Sequence, residues 1–301
     1  MKKRPEKKLI SMRGARGRIF PFSLLPMYLF TLAFVFFPLI YMLILSFMRR
    51  EGAWGVAAVF SLRNYRRILE PVYLRTFLQS VRLALVSTAL VILAGYPAGF
   101  FMARLSRRWR LRAMFLLIIP FWTSSLLRLY GWMILFRANG PLDAILMSSG
   151  ISKAPLRLLY SYPAVVTGLV YALLPFMIFS VYSSAEKLDR DLVDAARTMG
   201  APPARAFLTV SLPLTMPGLF SGVILTFIPS MGLFFIADIL GGNKVVLVGN
   251  LIQEQLLKDH DWPFAAALSV VLMILTSLFL YLYRIMSRTL GSGGEELEGL
   301  V

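Results

Sequence analysis

Residues 186–217, EKLDRDLVDAARTMGAPPARAFLTVSLPLTMP, form a charged interruption between long apolar runs, and their pattern decides how the chain is read. Leu188, Leu192, Ala195, Ala196 and Met199 recur at three- and four-residue steps, which predicts one apolar stripe on a helix. Asp189, Arg190, Asp191, Asp194 and Arg197 take much of the remaining face. Gly200 stands where a left-handed cap residue is wanted, and Pro202 and Pro203 prevent continuation. A second short helix is expected from Pro203, carrying Ala206, Phe207 and Val210 and ending at Pro213. The predicted product is a helix–turn–helix with an exposed apolar edge beside a membrane, the form of a docking surface for another protein.

The surroundings are set by composition. Of 301 residues 58% are hydrophobic, and the mean hydropathy is +0.71. No soluble domain of this length has an interior for so much apolar side chain, so lipid is the solvent. The chain has no cysteine, which excludes disulfides, thiolate metal sites and a cysteine nucleophile. A net charge of +17 could suggest nucleic acid, but basic loops held at an anionic leaflet explain it in a membrane protein. Nucleic acid is therefore not expected as a partner, whereas membrane lipid is.

Taken in order, residues 1–20 carry eight basic residues against Glu6 and form a basic N-terminal segment. The run from about 22 to 48 is too long for a signal-peptide core and lacks a small-residue cleavage site. It is read as a first span, with bends expected at Pro26 and Pro38. Residues 49–79 form a polar connection with six arginines; SLRNYRRILEP within it has short helical character and is expected to lie along the membrane surface. Further spans are expected near 80–103, 113–136, 162–182, 214–236 and 263–286. Arg104, Arg107, Arg108, Arg110 and Arg112 mark the loop after the second span as cytoplasmic. Six spans then place both termini, the arginine loop and the 186–213 stretch on one face, although the first outer connection is too basic for the simple charge rule. The expected organisation is a basic segment 1–20, an all-α polytopic domain 21–290, and a disordered tail 291–301, GSGGEELEGLV.

Chemistry within the chain is sparse. There is no G-x-x-x-x-G-K-[ST] loop, so ATP phosphates cannot be cradled here. The single histidine, His260, has no second imidazole nearby to build a zinc or proton-relay site. No catalytic residue, metal or cofactor is expected in the chain, and an energy source must act from outside it. Asp238 is the carboxylate embedded in an apolar run, bracketed by Gly232, Gly241 and Gly242, which permit an unwound backbone. Two roles fit it: a group near a pathway, or a salt-bridge or helix-cap partner. Arg128 in the third span is read as a partner for a carboxylate on this or a companion subunit. Phe121, Trp122, Tyr130 and Trp132 gather in the same span, where membrane-interface anchoring, packing and pathway lining all fit.

The spacing Asp194-Ala195-Ala196, Gly200 and Val210-Ser211-Leu212-Pro213 resembles the EAA loop of bacterial ABC-importer permeases, with Asp in place of the usual first Glu. The segments PFWTSSLLRLYGW, GLVYALLPFMIFSVYSSAEKLD, SLPLTMPGLFSGVILTFIPSMGLFFIADILGG and GNLIQEQ with DWPFAAALS are similar to the B-type permeases of bacterial spermidine/putrescine importers. The resemblance covers nearly the whole chain except the long basic N-terminal extension. It implies the six-helix type I importer permease fold in the bacterial inner membrane, with Glu186, Asp194, Ala195, Ala196, Gly200, Phe207 and Pro213 in a coupling loop. It further implies a second homologous permease, a dimer of ATPase subunits that binds the ATP and magnesium, and a periplasmic polyamine-binding protein. For a polyamine cation, Asp238 with Trp122 and Trp132 are the candidate pathway residues, and Tyr130, Tyr171 and Tyr182 weaker ones. A permease for another solute, such as an anion or ferric ion, shares this architecture. An ion-coupled secondary transporter or intramembrane enzyme would leave the Asp194–Pro213 spacing without a purpose.

Overall fold

The computed structural model describes residues 20–52 and 55–298, so the basic segment expected over 1–20 lies almost wholly outside the described residues. Helices α1 (Phe20–Thr31) and α2 (Phe37–Ser46) are joined by a π-helical turn, Leu32–Phe36, in which Phe37 N–H bonds Leu32 O. Strands β1 (Arg49–Glu51) and β2 (Gly55–Ala57) make an antiparallel hairpin with Arg49 opposite Ala57. Then come α3 (Arg63–Ile68) and α4 (Pro71–Arg104). Helix α5 (Arg107–Ile118) tightens into a 3₁₀ turn, Ile119–Trp122, before α6 (Ser125–Phe136) and α7 (Pro141–Ser148). The long α8 (Tyr162–Ala185) leads to α9 (Arg190–Thr198). Helix α10 (Pro203–Ala206) passes through a π turn, Phe207–Ser211, into α11 (Leu212–Gly232). The chain turns back through α12 (Phe234–Ile236), a π turn Ala237–Gly241 and α13 (Val248–Leu257), and ends on α14 (Trp262–Glu298).

The all-α polytopic architecture expected from the sequence is present, with five helices among the described residues long and apolar enough to span a membrane. A sixth span exists when α5 through α7 are taken together, but this pair is bent by 94° between Trp122 and Ser125. The third span is thus broken rather than straight. Pro120 lacks the N–H a continuing helix needs, and Thr123 Oγ1 donates to Pro120 O at 2.8 Å, holding the chain out of helix. The second span begins nine residues earlier than expected, because Pro71 pre-sets the first helical turn after extended Glu70. At 34 residues α4 is about 51 Å long, more than the hydrocarbon layer requires. Of the tail expected to be disordered, residues 291–298 continue α14, since extending an existing helix adds a hydrogen bond per residue without a new nucleus.

Helices α4, α8 and α11 form the centre. Their approach is set by small residues: a Cβ on Gly99 would stand 2.6 Å from Ile178 O, and one on Gly218 would stand 2.5 Å from Ser180 O. Met177, fully buried, fills the space beside Gly95 on α4 and Gly222 on α11. A second cluster joins Ile68, Phe77, Val248, Leu251, Phe264 and Leu268 across α3, α4, α13 and α14. By contrast, only 6% of the most apolar window within residues 25–46 is buried in the protein, and α2 is held mainly by α14. That first span is largely uncovered by the rest of the chain.

Gly99→Val should therefore lower the thermal midpoint of the purified protein, at a cost of about 1–3 kcal/mol for overpacking against backbone. Gly131→Ala, where a Cβ meets nothing within 4 Å, should leave the midpoint unchanged or slightly raised. Equal midpoints for the two variants would contradict the packing described.

Candidate functional site

The segment after α8 is built as a capped, projecting helix. Asp189 is extended, and its carboxylate accepts the Asp191 N–H at 3.0 Å, which starts α9. None of the nine residues of α9 is buried. Leu188 packs on the central core, whereas Leu192 is half exposed and Met199 is 89% exposed, so the stripe is anchored at its start and free at its end. The helix stops as the sequence predicts: Gly200 takes φ +89°, its N–H bonds Arg197 O at 2.9 Å, and Ala201 N–H bonds Ala196 O at 3.1 Å. These two bonds form a Schellman cap, which satisfies carbonyls otherwise orphaned at the helix end.

Both ends of this device are tied to the central helices. Glu186, exposed, pairs with Arg110 of α5, Oε1 to Nη1 at 3.0 Å. Phe207 meets Phe100 and Tyr96 of α4 edge-on at 5.3 and 6.3 Å. Asp194, Ala195 and Gly200 are exposed and Ala196 half-buried. Pro213 does not end the second helix, contrary to the sequence reading. Leu212 N–H reaches back five residues to Phe207 O, and this widened turn lets Pro213 enter at the first turn of α11 without a lost bond.

The pathway candidates divide between the two ends of the molecule. On α6, Arg128 and Trp132 lie one turn apart on a shared face; Trp132 stands 5.5 Å from Tyr171 of α8, and the Arg128 guanidinium lies 5.9 Å from the Tyr171 ring and 5.2 Å from that of Phe121. Of these, Arg128 and Tyr171 border a cavity of about 290 Å³ closed by Phe176, Leu225, Pro229 and Phe235. Arg128 Nε is buried without a hydrogen-bond partner, and no carboxylate pairs with Arg128 among the described residues. This cavity is cationic and aromatic, so its chemistry favours a carboxylate over a polyamine. Trp122 is 80% exposed at the bend of the broken span, and Tyr130 is exposed two residues from Trp132. Tyr182 is buried near α9 among Met102, Ile178, Met114 and Leu117 and is not among the residues lining this cavity.

Asp238 lies in the π turn after the break at Leu233, and this turn packs on α6 and α8. Its carboxylate accepts Asn250 Nδ2 at 2.5 Å, while the same amide donates to Phe234 O and its Oδ1 receives the Leu247 N–H. Asn250 thus clasps the two arms of the returning segment. The partner is neutral, so no salt bridge offsets the exposed Asp238 charge among the described residues. Sequence reasoning missed Asn250, though a polar residue three positions into a helix start was its signal. It also missed Arg110 as the Glu186 partner.

A family model described as "Binding-protein-dependent transport system inner membrane component" matches residues 95–291. The chain is 44% identical over 257 residues to the spermidine/putrescine transport system permease protein PotB of Escherichia coli (strain K12), covering 85% of this chain and 94% of that protein. It is 41% identical over 250 residues to PotB of Haemophilus influenzae, covering 83% and 87%. In fold it is similar to a chain of a bacterial alginate ABC transporter crystallised with an alginate-bound periplasmic protein, at TM-score 0.71 and 14% identity over 90% of this chain and 94% of that one.

The ion pairs at the two ends make a topology test possible. Single cysteines at Arg108, near the Glu186–Arg110 pair, and at Lys258, beyond α13, should react with an impermeant thiol reagent from opposite sides of sealed vesicles. The native chain has no cysteine to confuse the readout. Labelling from the same side would rule out the arrangement of spans.

Proposed function

Since the chain belongs to the binding-protein-dependent transport system inner membrane component family, we propose that it is a permease subunit of an ATP-driven polyamine importer. Its polyamine assignment is carried by one observation: 44% identity over most of both chains to a spermidine/putrescine permease. On this reading the chain forms half of a translocation pathway with a second homologous permease. ATP and its magnesium are bound by a dimer of partner ATPases, and a periplasmic binding protein delivers the polyamine. The exposed, rigidly capped α9 is the surface that enters the ATPase, with both termini on that cytoplasmic side. The Glu186–Arg110 pair and the Phe207 ring contacts carry a push on α9 into α5 and α4.

A polyamine is a flexible chain of ammonium groups separated by methylenes. It needs carboxylates to offset charge and aromatic surface along the methylenes, without a site that holds it too tightly. Asp238 supplies the first in this chain, and the exposed Trp122 and half-buried Trp132 supply the second. The companion permease provides most of the carboxylates, one of them opposite Arg128. That pairing removes the repulsion an uncompensated guanidinium would exert on the passing cation.

Two variants test the reading in the complex reconstituted with its ATPase and binding protein. Gly200→Val places a β-branched residue at φ +89°, a strain of about 1–3 kcal/mol, and should abolish stimulation of ATP hydrolysis by the loaded binding protein while leaving membrane insertion intact. Asp238→Asn keeps an acceptor for Asn250 but removes the charge; uptake of labelled spermidine should fall several-fold with assembly and basal hydrolysis unchanged. Wild-type stimulation in the glycine variant would reject α9 as the coupling surface. Undiminished uptake in the Asn variant would move the pathway elsewhere.

A further inference from the structure

We propose that an arginine-lined cleft at the end opposite α9 binds the phosphodiester headgroup of an anionic phospholipid. This inference goes beyond the transport reading and does not depend on it. The cleft holds about 970 Å³ and is lined by Arg49, Arg50, Arg63, Arg66 and Arg67, with Glu70 and Asp261 as its carboxylates. Arg67 is committed to structure: it pairs with Asp261 at 2.9 Å and lies over the Phe264 ring at 4.0 Å. Arg50 Nε donates to Gly52 O. Arg49, Arg63 and Arg66 are exposed and form no ion pair among the described residues, which leaves Glu70 alone against them.

Position identifies the ligand. Asn64 Nδ2 donates to Ser46 O and Met48 O, both at 2.9 Å, and Ser46 Oγ meets Tyr65 OH at 2.7 Å. These bonds pin α3 to the last turn of α2, the end of the apolar first span. Arg49 follows three residues after that span ends, so the cleft sits at headgroup depth. Large apolar side chains flank the arginines in the chain and stand exposed: Phe60 at 73%, Leu69 at 66% and Val72 at 68%. Guanidinium groups interleaved with exposed apolar residues at the end of an apolar, membrane-length helix make an interfacial surface, whereas a face for a soluble acidic protein would have a polar rim. A phosphodiester carries one negative charge on two free oxygens, which a planar guanidinium fork matches. The same ligand accounts for a basic connection on the face where the charge rule expects few arginines.

The full chain, purified in detergent, is titrated with phosphatidylglycerol or phosphatidylcholine and examined by native mass spectrometry. A phosphatidylglycerol adduct should form at lipid concentrations about tenfold below those needed for phosphatidylcholine. It should disappear in the double variant Arg63→Gln/Arg66→Gln and persist in Arg63→Lys/Arg66→Lys, with the thermal midpoint of both variants unchanged. Excess inorganic phosphate should not displace it. An adduct retained in the Gln variant, or equal binding of the two lipids, overturns the proposal. Displacement by inorganic phosphate overturns it in favour of a free-phosphate site. Loss of affinity for a soluble acidic protein in the Gln variant, with the lipid adduct intact, overturns it in favour of a protein-docking face.

Discussion

Met177 carries the central constraint of this molecule. Its side chain, wholly buried on α8, occupies the room left by Gly95 on α4 and Gly222 on α11, and no larger residue fits at either glycine without displacing it. In a membrane there is little hydrophobic gain in pressing helices together, so close packing and satisfied backbone must supply the cohesion. The flexible, polarizable thioether suits this position because it conforms to two glycine surfaces at once. Everything else hangs from the three helices it joins. The exposed helix α9 follows directly from α8, α10 runs into α11, and Phe207 is held against α4.

This arrangement separates two kinds of surface. The end at α9 presents exposed apolar and charged side chains on a short helix capped at both termini. The opposite end returns on itself through a π turn, a clasping asparagine and a charged aspartate with a neutral partner. Between them the spans carry few ionisable groups, and Arg128 is held over aromatic rings rather than beside a carboxylate of its own chain. A buried guanidinium with no carboxylate paired to it among the described residues leaves this region chemically incomplete within the single chain.

Local signals were legible where one residue type has one physical use. Gly200 at positive φ and the amphipathic period of α9 could both be read directly from residues 186–200, because each depends on neighbours within a turn, whereas Asp189, expected on the polar face, turns out to be the residue that caps the helix. The six-span count was legible from hydropathy, and the first, fourth and sixth spans begin within a few residues of expectation. Pro213 misled the reading because a proline ends a helix only if the preceding turn is α, and the π turn at Phe207–Ser211 has no distinctive composition. The break at Trp122–Ser125 escaped notice because apolar composition continues across it, and only Pro120 and the Thr-Ser-Ser run hint at the bend. Asn250 and Arg110 act across the tertiary fold, at separations no periodicity records. The placement of Tyr182 in packing rather than on open surface likewise depends on which helices become neighbours.

The widened turn between α10 and α11 has a geometric consequence of its own. Each residue added to a helix advances its angular phase by about 100°, so a π turn dials everything after it around the axis. Here that dial setting points Thr215 at Tyr96, oxygen to oxygen at 2.7 Å, and Gly218 and Gly222 at α8. Helices α10 and α11 therefore behave as a crank with a fixed offset rather than a straight rod. Torque applied at α10 is delivered along a different azimuth in α11. Were the same residues wound as a plain α-helix, every position after the turn would shift by one, bringing Leu214 to where Thr215 meets Tyr96 and Pro217 to where Gly218 meets α8.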